Sequence, residues 1–163
     1  RDPYVRHLHA DHTPVHQSRD FLARAKERDL RDGYFFQPII EKASNSFIGY
    51  VGLSKIDFEA AFTGSTEIGW MLRHDNWGKG YATEMAGTLI DHAFAVLELA
   101  EVIAFTVPIN ARSRRVMEKL GMNHEEDEGF EHPMVPEGHP YRFQVLYRKR
   151  RTASGVPVTK TAA

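Results

Sequence analysis

The chain has 163 residues, of which 42% are hydrophobic and 26% charged, with a formal net charge of −1 and no cysteine. This length suits one domain, and a near-neutral charge argues against a general nucleic-acid binder. The lack of cysteine excludes a disulfide scaffold, a thiolate metal site and a cysteine nucleophile.

No apolar run in the sequence approaches the roughly 20 residues that cross a bilayer. The start of the chain, residues 1–7, is polar and basic, unlike a secretory signal. We therefore expect a cytoplasmic protein with no membrane or nucleic-acid partner, acting as a monomer or a homodimer.

The first half of the chain predicts one helix and three strands. Thr13-Pro14 has the pattern of a helix N-cap with proline in the first turn, and Asp32-Gly33 ends the helix. Aromatic and β-branched residues, separated by turn-like segments, then predict strands over residues 34–40, 47–53 and 66–72.

The second half predicts alternating helices and strands. Apolar residues at i, i+3 and i+4 spacing predict the longest helix over residues 82–97. A strand over 102–107, a helix from Asn110 to Gly121, and a strand over 141–147 follow. The sequence thus predicts an α/β (α+β) domain over residues 1–150, with a mixed sheet between helices, and a disordered tail over 151–163.

A glycine-rich turn, Trp77-Gly78-Lys79-Gly80-Tyr81-Ala82-Thr83, joins the third strand to the longest helix. Unpaired N–H groups and the positive end of the dipole make a helix start an anion site, and glycines let the backbone approach the anion. A plain connecting turn is the alternative. Tyr81-Ala82 replaces the Lys-Ser/Thr pair of a P-loop, and Thr83 replaces the third glycine of the dinucleotide fingerprint.

Three segments in order resemble the GNAT superfamily of N-acetyltransferases, most of all its RimJ/RimL branch. They are residues 67–70 (Glu-Ile-Gly-Trp), 77–84, and 110–122, which begins Asn-Ala-Arg-Ser and ends Glu-Lys-Leu-Gly-Met. The resemblance covers nearly the whole chain and implies a GNAT-like mixed central sheet flanked by helices. The family's fold begins with a strand ahead of its first helices, whereas this chain begins inside the first helix, so we expect the first strand to be missing.

The resemblance also implies acetyl-CoA as co-substrate, with no metal. Backbone N–H groups from Gly78 to Thr83 would bind the pyrophosphate, although Trp77 replaces a polar residue of the family's loop. Asn110 resembles a cofactor-contacting asparagine and is equally a good helix N-cap. The implied cofactor-binding residues are Met71, Leu72, Arg73, Trp77, Gly78, Lys79, Gly80, Tyr81, Ala82, Thr83, Asn110 and Ser113.

Four basic residues near these segments have two interpretations. They can reach the cofactor's 3′-phosphate, or they can form an ordinary solvated surface. These residues are Lys79, Arg112, Arg114 and Arg115.

Acetyl transfer to an amine needs a proton acceptor, because an alkyl amine with a pKa near ~10.4 is only about a thousandth deprotonated at pH 7. Glu67 is the candidate base, directly or through a water; the alternative is an exposed strand carboxylate. Many relatives carry a tyrosine acid where this chain has Met117. Ser113 is the candidate hydrogen-bond donor to the departing thiolate, or else it makes only a local backbone bond.

The histidines give a weaker signal. His7, His9, His12 and His16 lie close together, but no known metal-site pattern includes them, so surface histidines are the better interpretation. The connection over residues 132–140, together with Tyr141, can border an acceptor site; its histidines are His132 and His139.

The sequence therefore predicts an N-acetyltransferase that moves an acetyl group from acetyl-CoA to a primary amine, by direct attack in a ternary complex. The acceptor is a protein N-terminus or a small molecule. A non-catalytic acyl-CoA-binding regulatory module is the alternative, and a third possibility is another phosphate binder with a helix-terminus site.

Overall fold

The computed structural model describes residues 15–152, with side chains described from residue 23 onward. No helix within this part of the chain is long and apolar enough to cross a membrane. The predicted N-cap at Thr13-Pro14, any strand ahead of the first helix and nearly all of the predicted tail fall outside the described residues.

The described chain forms three α-helices and six strands, with one short 3₁₀ turn. The helices are α1 (Val15–Asp32), α2 (Tyr81–Ala95) and α3 (Ala111–Lys119), and the 3₁₀ turn is His74–Asn76. The strands are β1 (Phe36–Glu41), β2 (Ser46–Lys55), β3 (Thr66–Leu72), β4 (Glu101–Thr106), β5 (Asn123–Glu131) and β6 (Phe143–Arg150).

The strands form one mixed sheet in the order β1-β2-β3-β4-β6-β5. β3 and β4 run parallel, and the other neighbouring pairs are antiparallel. This confirms the predicted mixed α/β architecture with helices on a central sheet. The three early strands, the helix after the glycine turn, the strand near residue 102 and the helix after Asn110 all form close to their predicted positions. The prediction that the helix after the glycine turn is the longest is wrong, because α1 has 18 residues and α2 has 15.

β5 was not predicted from the sequence, and the predicted last strand is displaced to Phe143–Arg150. The β5 sequence, Asn-His-Glu-Glu-Asp-Glu-Gly-Phe-Glu, has too many charges to resemble a strand. In the structure β5 is an edge strand whose glutamates pair with arginines of β6 and of the preceding connection. These pairs are Glu125–Arg150, Glu128–Arg148 and Glu131–Arg142.

The two faces of the sheet bury different clusters. One face packs against α2 and α3 through residues such as Ile68, Ala104 and Ile90. The other face carries a smaller cluster, including Ile103 and Phe62, surrounded by partly buried aromatic side chains. Since side chains alternate along a strand, β3 sends Ile68 toward α2 and its neighbour Glu67 to the opposite face.

Candidate active site

A cleft of about 530 Å³ lies between the C-terminal end of β3, the start of α2 and one face of α3. The structure brings together here ten of the twelve residues predicted to bind the cofactor; Arg73 and Lys79 do not line the cleft. The cleft is lined by Trp70, Met71, Leu72, Asn76, Trp77, Gly78, Gly80, Tyr81, Ala82, Thr83, Asn110, Arg112, Ser113, Arg115, Val116 and Lys119.

The glycine turn gives this cleft a bare helix N-terminus. Gly78 and Gly80 have φ of +74° and +89°, and a Cβ at either position would meet nothing within 4 Å. Gly80 is the N-cap of α2 and provides no side-chain cap. The N–H groups at the start of α2 therefore have neither an intrahelical acceptor nor a side chain in front of them, which suits an anion.

The strand end beside this turn is partly committed to the protein's own hydrogen bonds. The Arg73 N–H donates to the Ile48 carbonyl at 2.8 Å, and the Trp77 indole N–H donates to the Leu72 carbonyl at 2.8 Å. These contacts hold the 3₁₀ turn against β3 and β2. Because the Arg73 N–H and the Leu72 carbonyl take part in these bonds, fewer backbone groups at this end of β3 are left to bind a pantetheine chain than the resemblance implies.

Trp77 and Arg112 meet across the cleft. The Arg112 guanidinium carbon lies 4.8 Å from the centre of the Trp77 ring, a cation–π geometry. The indole also contacts His74, with ring centres 4.7 Å apart. The tryptophan that replaces a polar family residue thus contacts both a histidine and an arginine.

Asn110 is the N-cap of α3, as predicted, and it also orients Ser113. Its Oδ1 accepts from the Ser113 N–H at 3.2 Å. Its Nδ2 donates to Ser113 Oγ and to Thr106 Oγ1, both at 3.0 Å. Ser113 Oγ is therefore an acceptor toward Asn110, and among the described residues no acceptor takes its proton, so the hydroxyl can donate into the cleft.

The structure separates the four basic candidates. Arg112 and Arg115 line the cleft, and Lys79 does not. Arg114 is turned away, because its guanidinium donates to Tyr147 Oη at 3.0 Å and to the Pro108 carbonyl at 3.1 Å. The suggestion that Arg114 reaches the cofactor is therefore wrong in this arrangement.

Lys119 lines the same wall and was missed by the sequence analysis. It lies four residues after Arg115 and seven after Arg112, which places the three on one face of α3. Helical spacing counted from Arg112 would have found it.

Glu67 lies outside the lining of the cleft, at the point where β3 pairs with β4. Its partners in register are Ser54 on β2 and Ile103 on β4. The side chain is partly buried, and its pKa is raised from 4.5 to about 7, chiefly because burial penalises the charged form. A carboxylate in this state is not the exposed strand residue of the alternative interpretation; its catalytic role stays a prediction.

The predicted histidines fall into two groups. Side chains of the N-terminal four lie outside the described residues, and no metal-type cluster of His, Cys, Asp or Glu is found in the described part. His132 lies against Phe58, with ring centres 4.7 Å apart, on an aromatic cluster that includes Phe105 and Phe130. Burial, and to a lesser extent Arg142, lowers the pKa of His132.

His139 and Tyr141 pack edge to face in the β5–β6 connection, with ring centres 5.2 Å apart. Neither lines the cleft. Their place beside an acceptor stays a prediction.

The chain matches known acetyltransferases. A family model described as an acetyltransferase (GNAT) domain matches residues 1–123. The N-acetyltransferase p20 of Bacillus licheniformis is 34% identical over 113 residues, covering 69% of this chain and 62% of p20. The FsC-acetyl coenzyme A-N(2)-transacetylase of Aspergillus fumigatus is 38% identical over 88 residues, covering 52% of this chain and 37% of that protein.

A solved structure agrees with these relatives. The crystal structure of a GNAT-family acetyltransferase from Bacillus anthracis superposes with a TM-score of 0.58 at 30% identity, covering 71% of this chain and 65% of that one. The chain spans only about 62% of the length of p20. The family model nevertheless covers most of the sequence, including β3, the glycine turn, α2 and α3. The chain therefore belongs to the GNAT acetyltransferase family.

Proposed function

We propose that the protein is an acetyl-CoA-dependent N-acetyltransferase that acetylates a primary amine by direct attack in a ternary complex. The main support for the proposal is that β3 contributes both the proposed base and one edge of the cleft. This strand presents Glu67 on one face of the sheet, and its C-terminal end leads into the cleft with the bare start of α2. A proton acceptor and an anion site thus share one rigid element.

The cleft suits the phosphate-bearing part of the co-substrate. The start of α2 has no side-chain cap, and the Cβ positions of Gly78 and Gly80 are open. Arg112, Arg115 and Lys119 add positive charge along α3. The thioester of the co-substrate, when bound, provides an acyl carbon open to attack. Met71 and Leu72 add apolar side chains to the lining of this cleft.

The chemistry then needs two groups from this chain. Glu67, with a pKa of about 7, takes a proton from the acceptor nitrogen directly or through a water as the N–C bond forms. The C–S bond breaks, its electron pair leaves with the sulfur as a thiolate, and the Ser113 hydroxyl donates a hydrogen bond to that thiolate while keeping its proton. A thiol with a pKa of about 8.5 leaves without a strong acid, so a serine is sufficient here.

An amine acceptor is supported by the name of the Aspergillus fumigatus relative, an N(2)-transacetylase. A RimJ/RimL-like setting is supported by Trp77 in the loop and Ser113 on α3. The acceptor is either a protein N-terminus or a small-molecule amine.

A non-catalytic acyl-CoA-binding module is the second candidate. Met117, which stands where many relatives carry a tyrosine acid, is 2% exposed and packs in the core. This position therefore cannot present any acid to the cleft. Such a module would bind acetyl-CoA without turning it over.

The test is release of the CoA thiol from acetyl-CoA in the presence of a panel of amines and N-terminal peptides. We expect at least one acceptor to give turnover that depends on enzyme concentration. Binding of acetyl-CoA by calorimetry with no turnover on any acceptor would favour the binding module. Neither binding nor turnover would contradict both candidates.

A further inference from the structure

An ion pair lies beside Glu67 without joining it. Arg28, on α1, donates from Nη1 to Ser54 Oγ at 3.2 Å and forms an ion pair with Asp57 through Nη2. Its guanidinium also lies 5.5 Å from the centre of the Phe35 ring. The arginine thus contacts three neighbours, of which Ser54 lies on β2, Asp57 in the β2–β3 connection and Phe35 just before β1.

Ser54 places this arrangement next to the proposed base. It is buried, and its register partner on β3 is Glu67. Within the described residues, no ion pair or hydrogen bond joins the side-chain carboxyl group of Glu67 to Arg28 or to another side chain. The Arg28 charge nevertheless lowers the pKa of Glu67, and Asp57 opposes it, although burial has the largest effect.

We infer that Asp57 and Ser54 act as positioning residues that hold the Arg28 guanidinium beside Glu67 but off its carboxylate, so that Glu67 stays free to accept a proton. The inference rests on the proposed role of Glu67 as the base. Without an anchor at Asp57, Arg28 would be free to pair with Glu67, because an unpaired partly buried guanidinium favours a nearby carboxylate.

The other groups described on this face of the sheet are either uncharged or already paired with another residue. Ile103 faces Glu67 from β4 and carries no charge. Farther along the same face, Arg148 is already paired at 2.6 Å with Glu101 and with Glu128. The groups facing or neighbouring Glu67 are Ser54 from β2, Ile103 from β4, Arg28 from α1, Asp57 from the β2–β3 connection, Glu101 and Arg148 on β4 and β6, and His132 in the aromatic cluster.

The experiment compares Asp57→Asn with Arg28→Met in the full chain. Removing Asp57 exposes Glu67 to the whole Arg28 charge, so the carboxylate binds its proton less tightly. Removing Arg28 does the opposite, and Arg28→Lys restores the charge. Glu125→Gln and Arg150→Met are the controls, since they make the same charge changes in an ion pair between β5 and β6.

The first readout is the titration of the Glu67 carboxyl carbon by NMR, with the signal identified by its loss in Glu67→Gln. The second is the pH dependence of kcat/KM. In Asp57→Asn we expect both midpoints to move to lower pH, by about half a pH unit, so that the fraction of the rate retained at pH 6 rises about threefold. In Arg28→Met both midpoints should move to higher pH.

Opposite displacements in the two variants, absent from the controls, support the inference, because loss of stability alone would not reverse sign. An unchanged NMR titration of Glu67 in both variants would overturn it. If the NMR midpoints move in opposite directions but the rate profile does not, the positioning of Arg28 holds and the catalytic role of Glu67 is wrong. Asp57 is half exposed, so Asp57→Asn provides the result even if Arg28→Met does not fold.

Discussion

At the scale of single residues, the ionisation of Glu67 links function to stability. Its pKa is about 7 in the folded chain and ordinarily 4.5, so folding favours the protonated form. The charged form therefore destabilises the folded chain above pH 7, and this cost disappears below about pH 4.5. Ionisable groups whose pKa is strongly shifted at the expense of stability are concentrated at functional sites.

Glu67→Gln should remove that cost. At pH 8 we expect the variant to be more stable than the natural chain by at most ~3 kcal/mol, less where solvent reaches the carboxylate, and the gain should vanish toward pH 4.5. Denaturant unfolding at the two pH values measures the difference. Glu126→Gln, which removes an exposed carboxylate of β5, is the control; a gain of the same size at both pH values would contradict a buried, raised-pKa Glu67.

Ser113 can be tested without disturbing the helix that carries it. Ser113→Ala keeps the backbone N–H that Asn110 caps and removes only the hydroxyl. We expect kcat to fall about tenfold, the effect of one hydrogen bond to a developing charge, with the Kd for acetyl-CoA nearly unchanged. An unchanged kcat, measured by thiol release, would mean that Ser113 has no role in the reaction and makes only its local hydrogen bonds with Asn110.

At the scale of elements, the start of α2 carries the anion site. Gly80→Asp puts a side chain and a negative charge in front of the helix N-terminus, where the glycine leaves open space. Acetyl-CoA should bind on the order of a hundredfold more weakly, because the new carboxylate opposes the pyrophosphate. Calorimetry measures the Kd.

Gly64→Asp is a close control for this variant. Gly64 has φ of +88° against +89° for Gly80, and its Cβ position is also open. The backbone strain of the two substitutions should therefore match. Equal loss of acetyl-CoA affinity in both variants would mean that strain, rather than the anion site, explains the effect.

At the start of α3, two substitutions of Asn110 test how much its role as N-cap stabilises the fold. Asn110→Asp keeps an oxygen that accepts from the Ser113 N–H, whereas Asn110→Ala loses it. We expect Asn110→Ala to be destabilised by about 1 kcal/mol and Asn110→Asp to be close to the natural chain in thermal unfolding. Equal destabilisation of the two would show that the donor bonds from Nδ2 to Thr106 and Ser113 matter more than the cap.

The elements also show what the sequence could predict. β2 and β3 were found because buried strands select β-branched and aromatic residues, and α2 because its buried face repeats with helical spacing. β5 was missed because its partners are arginines distant in sequence: Arg148 bonds Glu128, twenty positions away. A strand held by cross-strand ion pairs has no hydrophobic pattern to detect.

At the scale of the whole molecule, the two halves of the proposed site, which are the cleft for the co-substrate and the proposed base Glu67, come from different parts of the sheet. The cleft and its basic residues lie beside α2 and α3, and Glu67 points to the opposite face with Arg28, Asp57 and the aromatic cluster. The glycine turn identified the first half from sequence, because its motif is contiguous. The environment of Glu67 could not be predicted, since its neighbours come from α1, β2 and β4.

The pH dependence of kcat/KM, measured by thiol release with an accepted amine, tests the account most directly. For the natural chain we expect the rate to rise through a midpoint near pH 7, where Glu67 loses its proton. Glu67→Gln should lose this limb and at least about a hundredfold in rate at pH 8. A Glu67→Gln profile with the same midpoint and a similar rate would contradict Glu67 as the base.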